Sequence, residues 1–173
     1  MRAKISWVAL LLAACPFLMA QPREGYLKAK VNPGRAGVFV DGKYVGPAAN
    51  FRMARKYAVA PGKHEVKLID PRYEETTVPV DVTAGKTTVI SQTLKALPVP
   101  QGPFGILRVQ NRDKYAAVYL NDKYYGHADE FSNGSQGMLL PPGEYNLRVE
   151  PTAGGNAVAQ KVQITAGQTT LIK

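Results

Sequence analysis

Short stretches in which apolar and polar residues alternate recur along the chain. In HEVKLI (residues 64–69) the valine and the leucine would lie on one face of a strand, and the charged residues on the other. The stretches LKAKV (27–31) and VPVDV (78–82) alternate in the same way, and glycines and prolines separate them. This pattern predicts the short strands of an antiparallel β-sandwich. Helical periodicity of useful length is missing, although residues 47–57 have room for one helical turn.

The segment VFVDGKYVG (38–46) predicts a β-hairpin. Asp41-Gly42, between two runs of β-branched and aromatic residues, is typical of a two-residue type I′ turn, in which both central residues need a positive φ. Such a turn fixes the pairing across the hairpin and places the aliphatic residues on one face and an aromatic pair on the other. The expected pairs are Val40 with Lys43, Phe39 with Tyr44, and Val38 with Val45.

The hairpin sequence occurs twice. Residues 118–126 read VYLNDKYYG, with Asn-Asp in the turn and Tyr119 opposite Tyr124. Asparagine and aspartate both tolerate the left-handed conformation that this turn requires. Further along, VTAGKTT (82–88) returns as ITAGQTT (164–170), so the repetition extends well beyond the hairpin.

The repeat sets the domain organisation. It predicts an all-β protein with two tandem small antiparallel β-sandwich domains, at residues 24–95 and 104–173. The three prolines of residues 96–103 favour an extended linker between them. A domain of this size buries only about 60% of its unfolded surface, so each core is marginal alone.

The N-terminal segment has the composition of a secretory signal peptide. Two basic residues precede the apolar run ISWVALLL (5–12), and Ala20 provides a small residue at the cleavage point before Gln21. We therefore expect residues 1–20 to be removed on export. The alternative is lipidation, because the LAAC sequence ending at Cys15 resembles a bacterial lipobox. No later segment is apolar enough to cross a membrane as a helix.

Positive charge is concentrated in the first half of the chain. The full chain has a formal charge of +9; residues 21–97 hold 13 basic and 7 acidic residues, or +6, whereas residues 98–173 hold 7 and 6, or +1. An exported basic protein is expected to meet an anionic polysaccharide, lipid or protein of the envelope rather than nucleic acid. No nucleic-acid-binding motif accompanies the charge.

Two pieces of sequence carry a resemblance to a known family. The motif V-[FY]-[VL]-[DN]-x-K-Y-x-G of residues 38–46 and 118–126 is followed by APGKH (60–64) and PPGEY (141–145). This pattern resembles the PEGA domain family, whose members are small β-sandwich modules, often in tandem, in exported or membrane-attached bacterial proteins. The resemblance covers nearly the whole mature chain and implies a non-catalytic interaction module. The second unit matches less closely, because PTAGGNA (151–157) lacks the Gly-Tyr step usual there.

Few residues are suited to catalysis or metal binding. His64 corresponds to Tyr145 in the second unit, which indicates a half-buried ring rather than a catalytic base. His127, Asp129 and Glu130 share one loop, but the first unit has uncharged residues there, which favours a solvated loop over a metal site. No G-x-S-x-G elbow is present. We therefore expect no enzymatic activity and no cofactor, with a small hydrolase as the minor alternative.

Two sets of residues are candidates for binding. The cluster RMARK (52–56), flanked by aromatic rings, is either a solvated loop or an electrostatic contact, and the matching SNGSQ (132–136) has no charge. The aromatic pairs of the two hairpins either stabilise the hairpins or form a flat platform for sugar or peptide. The candidates are Lys43, Phe51, Arg52, Arg55, Lys56 and Tyr57 in the first set and Phe39, Tyr44, Tyr119 and Tyr124 in the second.

Together these features predict an exported, non-catalytic binding module of the bacterial cell envelope, in the periplasm or at the cell surface. The partner is expected to be an anionic envelope component that contacts the basic first domain. The alternative is a lipid-anchored envelope scaffold or spacer, held to the membrane through Cys15.

Overall fold

The computed structural model of the protein describes residues 23–53, 55–133 and 136–173. The predicted signal peptide and Cys15 lie outside the described residues. Among the described residues, no helix has both the length and the apolar character needed to span a membrane.

The first unit is a sandwich of two sheets. One sheet has the strand order β4-β1-β7 and the other the order β3-β2-β5-β6. All pairs are antiparallel except β1 with β7, which run parallel. The elements are β1 (Gly25–Asn32), β2 (Gly37–Val40), β3 (Lys43–Pro47), a 3₁₀ turn (Ala48–Phe51), β4 (Tyr57–Val59), β5 (Gly62–Ile69), β6 (Thr76–Val82) and β7 (Thr87–Thr93).

The second unit repeats this architecture element by element. Its sheets have the orders β11-β8-β14 and β10-β9-β12-β13, and again one pair, β8 with β14, is parallel. The elements are β8 (Gly105–Val109), β9 (Ala117–Leu120), β10 (Lys123–His127), a second 3₁₀ turn (Ala128–Phe131), β11 (Met138–Leu140), β12 (Gly143–Glu150), β13 (Val158–Ile164) and β14 (Thr169–Ile172). The predicted fold class, two small β-sandwiches rich in antiparallel pairs, is confirmed, and so is the single helical turn expected within residues 47–57.

Both predicted hairpin turns are present. The φ angles are 50° at Asp41 and 79° at Gly42, and 49° and 61° at the two turn residues of the second hairpin. Two of the three expected pairs in the first hairpin form, but the prediction that Val38 pairs with Val45 is wrong. A β-bulge shifts the register so that Val38 pairs with Gly46.

Each unit has its own core, formed by the inward face of each strand. In β5, Val66 and Leu68 are fully buried, as the alternation in this segment predicts. They pack with Leu27, Val38 and Ile90, which come from both sheets of the sandwich. The outward faces of the strands are therefore the surfaces that remain for binding.

Candidate functional site

The basic loop joins the first 3₁₀ turn to β4. Arg52, Arg55 and Lys56 are all exposed on it. The ammonium nitrogen of Lys56 lies 3.4 Å from the centroid of the Tyr26 ring, a cation–π contact that fixes this side chain against β1. Among the described residues, no acidic side chain lies within ion-pair distance of these three cations.

The other candidates of the first set have different surroundings. Phe51 and Tyr57 are half-buried and contact each other edge to face, with ring centroids 6.2 Å apart. Both rings pack against the core of the first unit, so they anchor the two ends of the basic loop to that core. Lys43 is exposed at the start of β3, directly after the hairpin turn, in the other sheet of the sandwich.

The aromatic pairs of the two hairpins meet at the contact between the two units. The ring of Tyr124 lies 5.3 Å, centroid to centroid, from both Phe39 and Tyr44, and 5.8 Å from Tyr119. All four rings are buried, and Ala117 completes the cluster. Burial raises the pKa of the Tyr44 and Tyr124 phenols well above the ordinary value. In this arrangement the rings pack the two units together and do not present an open platform.

A glycine makes room for this contact. Gly37 lies beside the tip of the Tyr124 ring, and a Cβ atom at residue 37 would be 2.6 Å from the ring carbon Cζ and 2.8 Å from the phenol oxygen. The equivalent position in the second unit is occupied by Ala117. The two units are therefore fitted to each other through positions that differ between the repeats.

A cluster of charged residues forms a second contact between the two units, in addition to the aromatic contact. Arg72 donates hydrogen bonds to both carboxylate oxygens of Asp70, at 2.8 and 2.9 Å, and from Nη2 to Glu130 of the second unit at 2.9 Å. Arg35 donates to Asp70 at 3.0 Å, and its Nε lies 3.9 Å from Glu130. Nδ1 of His127 lies 3.0 Å from the other Glu130 oxygen. The cluster therefore links three residues of the first unit to two of the second.

Asp70 is the centre of this cluster, because its side chain is only 1% exposed. Burial alone would raise the pKa of its carboxyl, but the hydrogen bonds from Arg72 and Arg35 hold that pKa below its ordinary value. Sequence reasoning missed the cluster. The available signal was an acidic residue at the end of a strand, with an uncharged proline, Pro151, at the equivalent position of the repeat.

His64 closes the hairpin turn from the neighbouring strand. Its Nδ1 lies 2.6 Å from a carboxylate oxygen of Asp41, and its Nε2 lies 2.8 Å from the carbonyl of Ala60. The hydrogen bond to Asp41 raises the pKa of His64, and the partial burial of the ring opposes this. Both ring nitrogens contact partners within the unit, so the imidazole joins the hairpin turn to the segment before β5.

The second unit has a phenol in place of this imidazole. The phenol of Tyr145 donates to the carbonyl of Pro141 at 2.9 Å, and the amide of Asn146 donates to the side chain of Asn121 at 2.9 Å. The corresponding amide in the first unit, that of Glu65, donates to Asp41 at 3.0 Å. The expectation from the self-comparison, that this position holds a ring for structural reasons, agrees with this geometry.

Among residues 23–53, 55–133 and 136–173, no three His, Cys, Asp or Glu side chains are placed so that they would hold a metal ion. In the loop that holds His127, Asp129 and Glu130, the histidine and the glutamate contact each other, while Asp129 is exposed. The expectation of a solvated loop is therefore wrong for His127 and Glu130, which are part of the contact between the units, and holds for Asp129.

Comparison with known proteins relates the first unit to a protein family. The family model of the PEGA domain matches residues 25–97, which contain all strands of the first sandwich. No curated protein matches the chain in sequence. A solved structure described as the Bacillus anthracis TIE protein is similar over 87% of this chain and 33% of its own, at 15% identity and a TM-score of 0.33, so this chain spans about a third of that protein. The family match, over a two-sheet sandwich with the motif's hairpin in place, identifies residues 25–97 of this chain as a PEGA domain.

Proposed function

We propose that this protein is an exported, non-catalytic binding module that contacts an anionic component of the bacterial cell envelope through the basic loop of its first unit. The observation that carries the proposal is that three neighbouring cations are exposed and have no acidic partner among the described residues. Arg52, Arg55 and Lys56 are exposed, and no acidic side chain of the described residues pairs with them. Lys67 and Lys95 of the same unit, by contrast, each form an ion pair.

The second unit shows that the fold does not need these charges. The matching residues of its loop are serine, asparagine, glycine and glutamine, yet the flanking 3₁₀ turn and strand are the same. Charges that packing does not require, and that have no acidic partner among the described residues, are available to an external anion. The loop is held in place by the core contacts of Phe51 and Tyr57 and by the contact of Lys56 with Tyr26.

Salt-dependent binding by the full mature chain tests this function. The variant Arg52→Ser, Arg55→Ser, Lys56→Ser should remain folded and lose most of its binding to envelope fragments and to anionic polymers. The matched control removes three exposed lysines of the second unit, in the variant Lys114→Ser, Lys123→Ser, Lys173→Ser, so that net charge changes equally. Because exposed charges act over a Debye length of about 8 Å at physiological salt, wild-type binding should weaken as salt rises. Equal losses in both variants would reduce the interaction to net charge and refute the site.

Export is the part of this proposal that the N-terminal sequence supports. Intact-mass measurement of the protein recovered from the cell envelope should give a chain that begins at Gln21. A chain that begins at a diacylated Cys15 would instead establish the lipid-anchored scaffold.

A further inference from the structure

The outward face of β1 carries a row of cations. Leu27, Ala29 and Val31 point into the core, so Tyr26, Lys28 and Lys30 point outward on the opposite face. The ammonium of Lys56 lies above the ring of Tyr26. Three ammonium groups therefore follow β1: that of Lys56 above residue 26, and those of Lys28 and Lys30. Successive positions in this row are about 7 Å apart along the strand.

The strands beside β1 leave this row open. On β7, the register partners of Tyr26, Lys28 and Lys30 are Thr87, Val89 and Ser91, and all three are exposed. On β4, Ala58 is opposite Tyr26 and is also exposed. The row is thus flanked by small, uncharged side chains.

The lysines of the row take part in no ion pair among the described residues. Among the described residues, neither Lys28 nor Lys30 has an acidic side chain within ion-pair distance. Without acidic neighbours, the three cations form a narrow positive track along one strand, and its charge is not neutralised from within the protein.

The same face of the second unit has a different character. Ile106 and Arg108 occupy the positions of Tyr26 and Lys28, and Leu139 and Leu171 replace the residues on the neighbouring strands. The guanidinium of Arg108 is held by the loop after the second 3₁₀ turn, where it donates to the carbonyl of Ser132 at 2.9 Å. The equivalent sheet of the second unit therefore folds without these lysines, so folding does not require them in the first unit.

We propose that this row, Lys30, Lys28 and Lys56 along β1, is a track for a linear carboxylate-bearing polysaccharide that lies along the strand. The inference rests on the proposed function and names the class of anion and its path. One exposed lysine contributes little to affinity, so the track needs a ligand that brings several charges on one chain. Lysine ammonium groups act as point charges, so the row selects a ligand by the spacing of its charges and not by the bidentate geometry that arginine would impose.

Two other anionic ligands fit the face less well. Stable binding to a bilayer combines electrostatic attraction with the insertion of apolar side chains, and of the flanking residues Ala58, Thr87, Val89 and Ser91 the largest apolar side chain is that of Val89. A single-stranded nucleic acid would require aromatic rings on which bases stack, and the ring of Tyr26 is already covered by Lys56.

The test measures binding of the full mature chain to polygalacturonate and to its oligomers of increasing length. The variant Lys28→Gln, Lys30→Gln should bind the polymer about tenfold more weakly than wild type. The control Lys63→Gln, Lys123→Gln removes two exposed lysines outside the row and should bind nearly as wild type does. Affinity should rise with oligomer length until the chain spans positions 26 to 30, about 14 Å, and then level off. Thermal unfolding confirms that each variant is folded.

The outcomes separate the track from the proposed function. Full binding by the Lys28→Gln, Lys30→Gln variant, with binding lost in Arg52→Ser, Arg55→Ser, would overturn the track and leave the basic loop as the site. Tighter binding to polyphosphate or to phosphatidylglycerol vesicles than to polygalacturonate would overturn the choice of polysaccharide. Failure of the wild type to bind any of the three would refute both proposals.

Discussion

Tyr44 and Tyr124 occupy the same position in the two repeated hairpins, and their phenol oxygens lie 3.4 Å apart. The two units therefore contribute the same hairpin position to their contact, as two copies of one surface patch do at an isologous interface. The interface is not fully symmetric, because the Arg35, Asp70 and Arg72 cluster belongs to the first unit and Glu130 to the second.

The close approach of Gly37 to Tyr124 predicts that a single methyl group will disturb the interface. Gly37→Ala places a Cβ atom 2.6 Å from the Tyr124 ring, so the ring must shift within a packed cluster. We expect a loss of about 1–3 kcal/mol in the free energy of unfolding, measured by denaturant titration of the full chain. If the units are held together mainly here, we expect wild type to unfold in one transition and Gly37→Ala to unfold in two.

The control for that substitution is Gly34→Ala, in the turn before β2. A Cβ atom there would lie 3.5 Å from the side chain of Ala49, an ordinary van der Waals distance. Its effect on stability should therefore be small. Equal effects of Gly34→Ala and Gly37→Ala would contradict the interface as described.

The buried carboxylate of Asp70 predicts a dependence of stability on acid pH. Because hydrogen bonds from Arg72 and Arg35 lower its pKa in the folded protein, the ionised group stabilises the fold above the ordinary value of 3.8. This contribution is lost as pH falls through the lower folded-state pKa. The free energy of unfolding should thus fall as the pH drops below about 4 and through the folded-state pKa, and Asp70→Asn should flatten that part of the curve. An unchanged acid limb in Asp70→Asn would show that other carboxyls determine it.

The first hairpin turn provides a test of backbone strain alone. Gly42 has a φ of 79°, and a Cβ atom there would meet nothing within 4 Å. Any cost of Gly42→Val therefore comes from forcing a β-branched residue into the left-handed region, and we expect about 1–3 kcal/mol in the free energy of unfolding. Asp122→Gly, in the second turn, should be neutral or stabilising, since φ there is 61°. A denaturant midpoint unmoved by Gly42→Val would rule out the type I′ turn.

The sequence predicted what depends on neighbouring residues. Asp41-Gly42 determines its turn locally, and alternation along β5 determines which residues face the core. The bulge that pairs Val38 with Gly46 was missed because an extra residue in one strand leaves the local pattern unchanged.

The contact between the units was missed for a different reason. Phe39 and Tyr124 lie on outward faces, 85 positions apart in the chain, and nothing in the alternation distinguishes an outward face that meets solvent from one that meets another domain. The basic loop stood out in the sequence, since comparison of the repeats isolates its charge. The row on β1 did not, because Lys56 joins it only through tertiary contact with Tyr26.

The contact of His64 with the hairpin turn predicts that the free energy of unfolding also depends on pH near neutrality. Replacing His64 by the tyrosine found at the same position of the second unit should remove this dependence. The pKa of His64 is raised above its ordinary value of 6.5 by the hydrogen bond to Asp41. The charged imidazolium therefore stabilises the fold fully below pH 6.5, and this stability is lost as pH rises through the raised folded-state pKa. His64→Tyr should abolish this dependence while keeping the bond to the Ala60 carbonyl, because Tyr145 donates to Pro141 in that way. The reciprocal variant in the second unit, Asn121→Asp with Tyr145→His, should introduce the same dependence there. Unfolding free energies measured from pH 5.5 to 9 in each variant check both directions, and a slope retained after His64→Tyr would assign the neutral-pH dependence to another group.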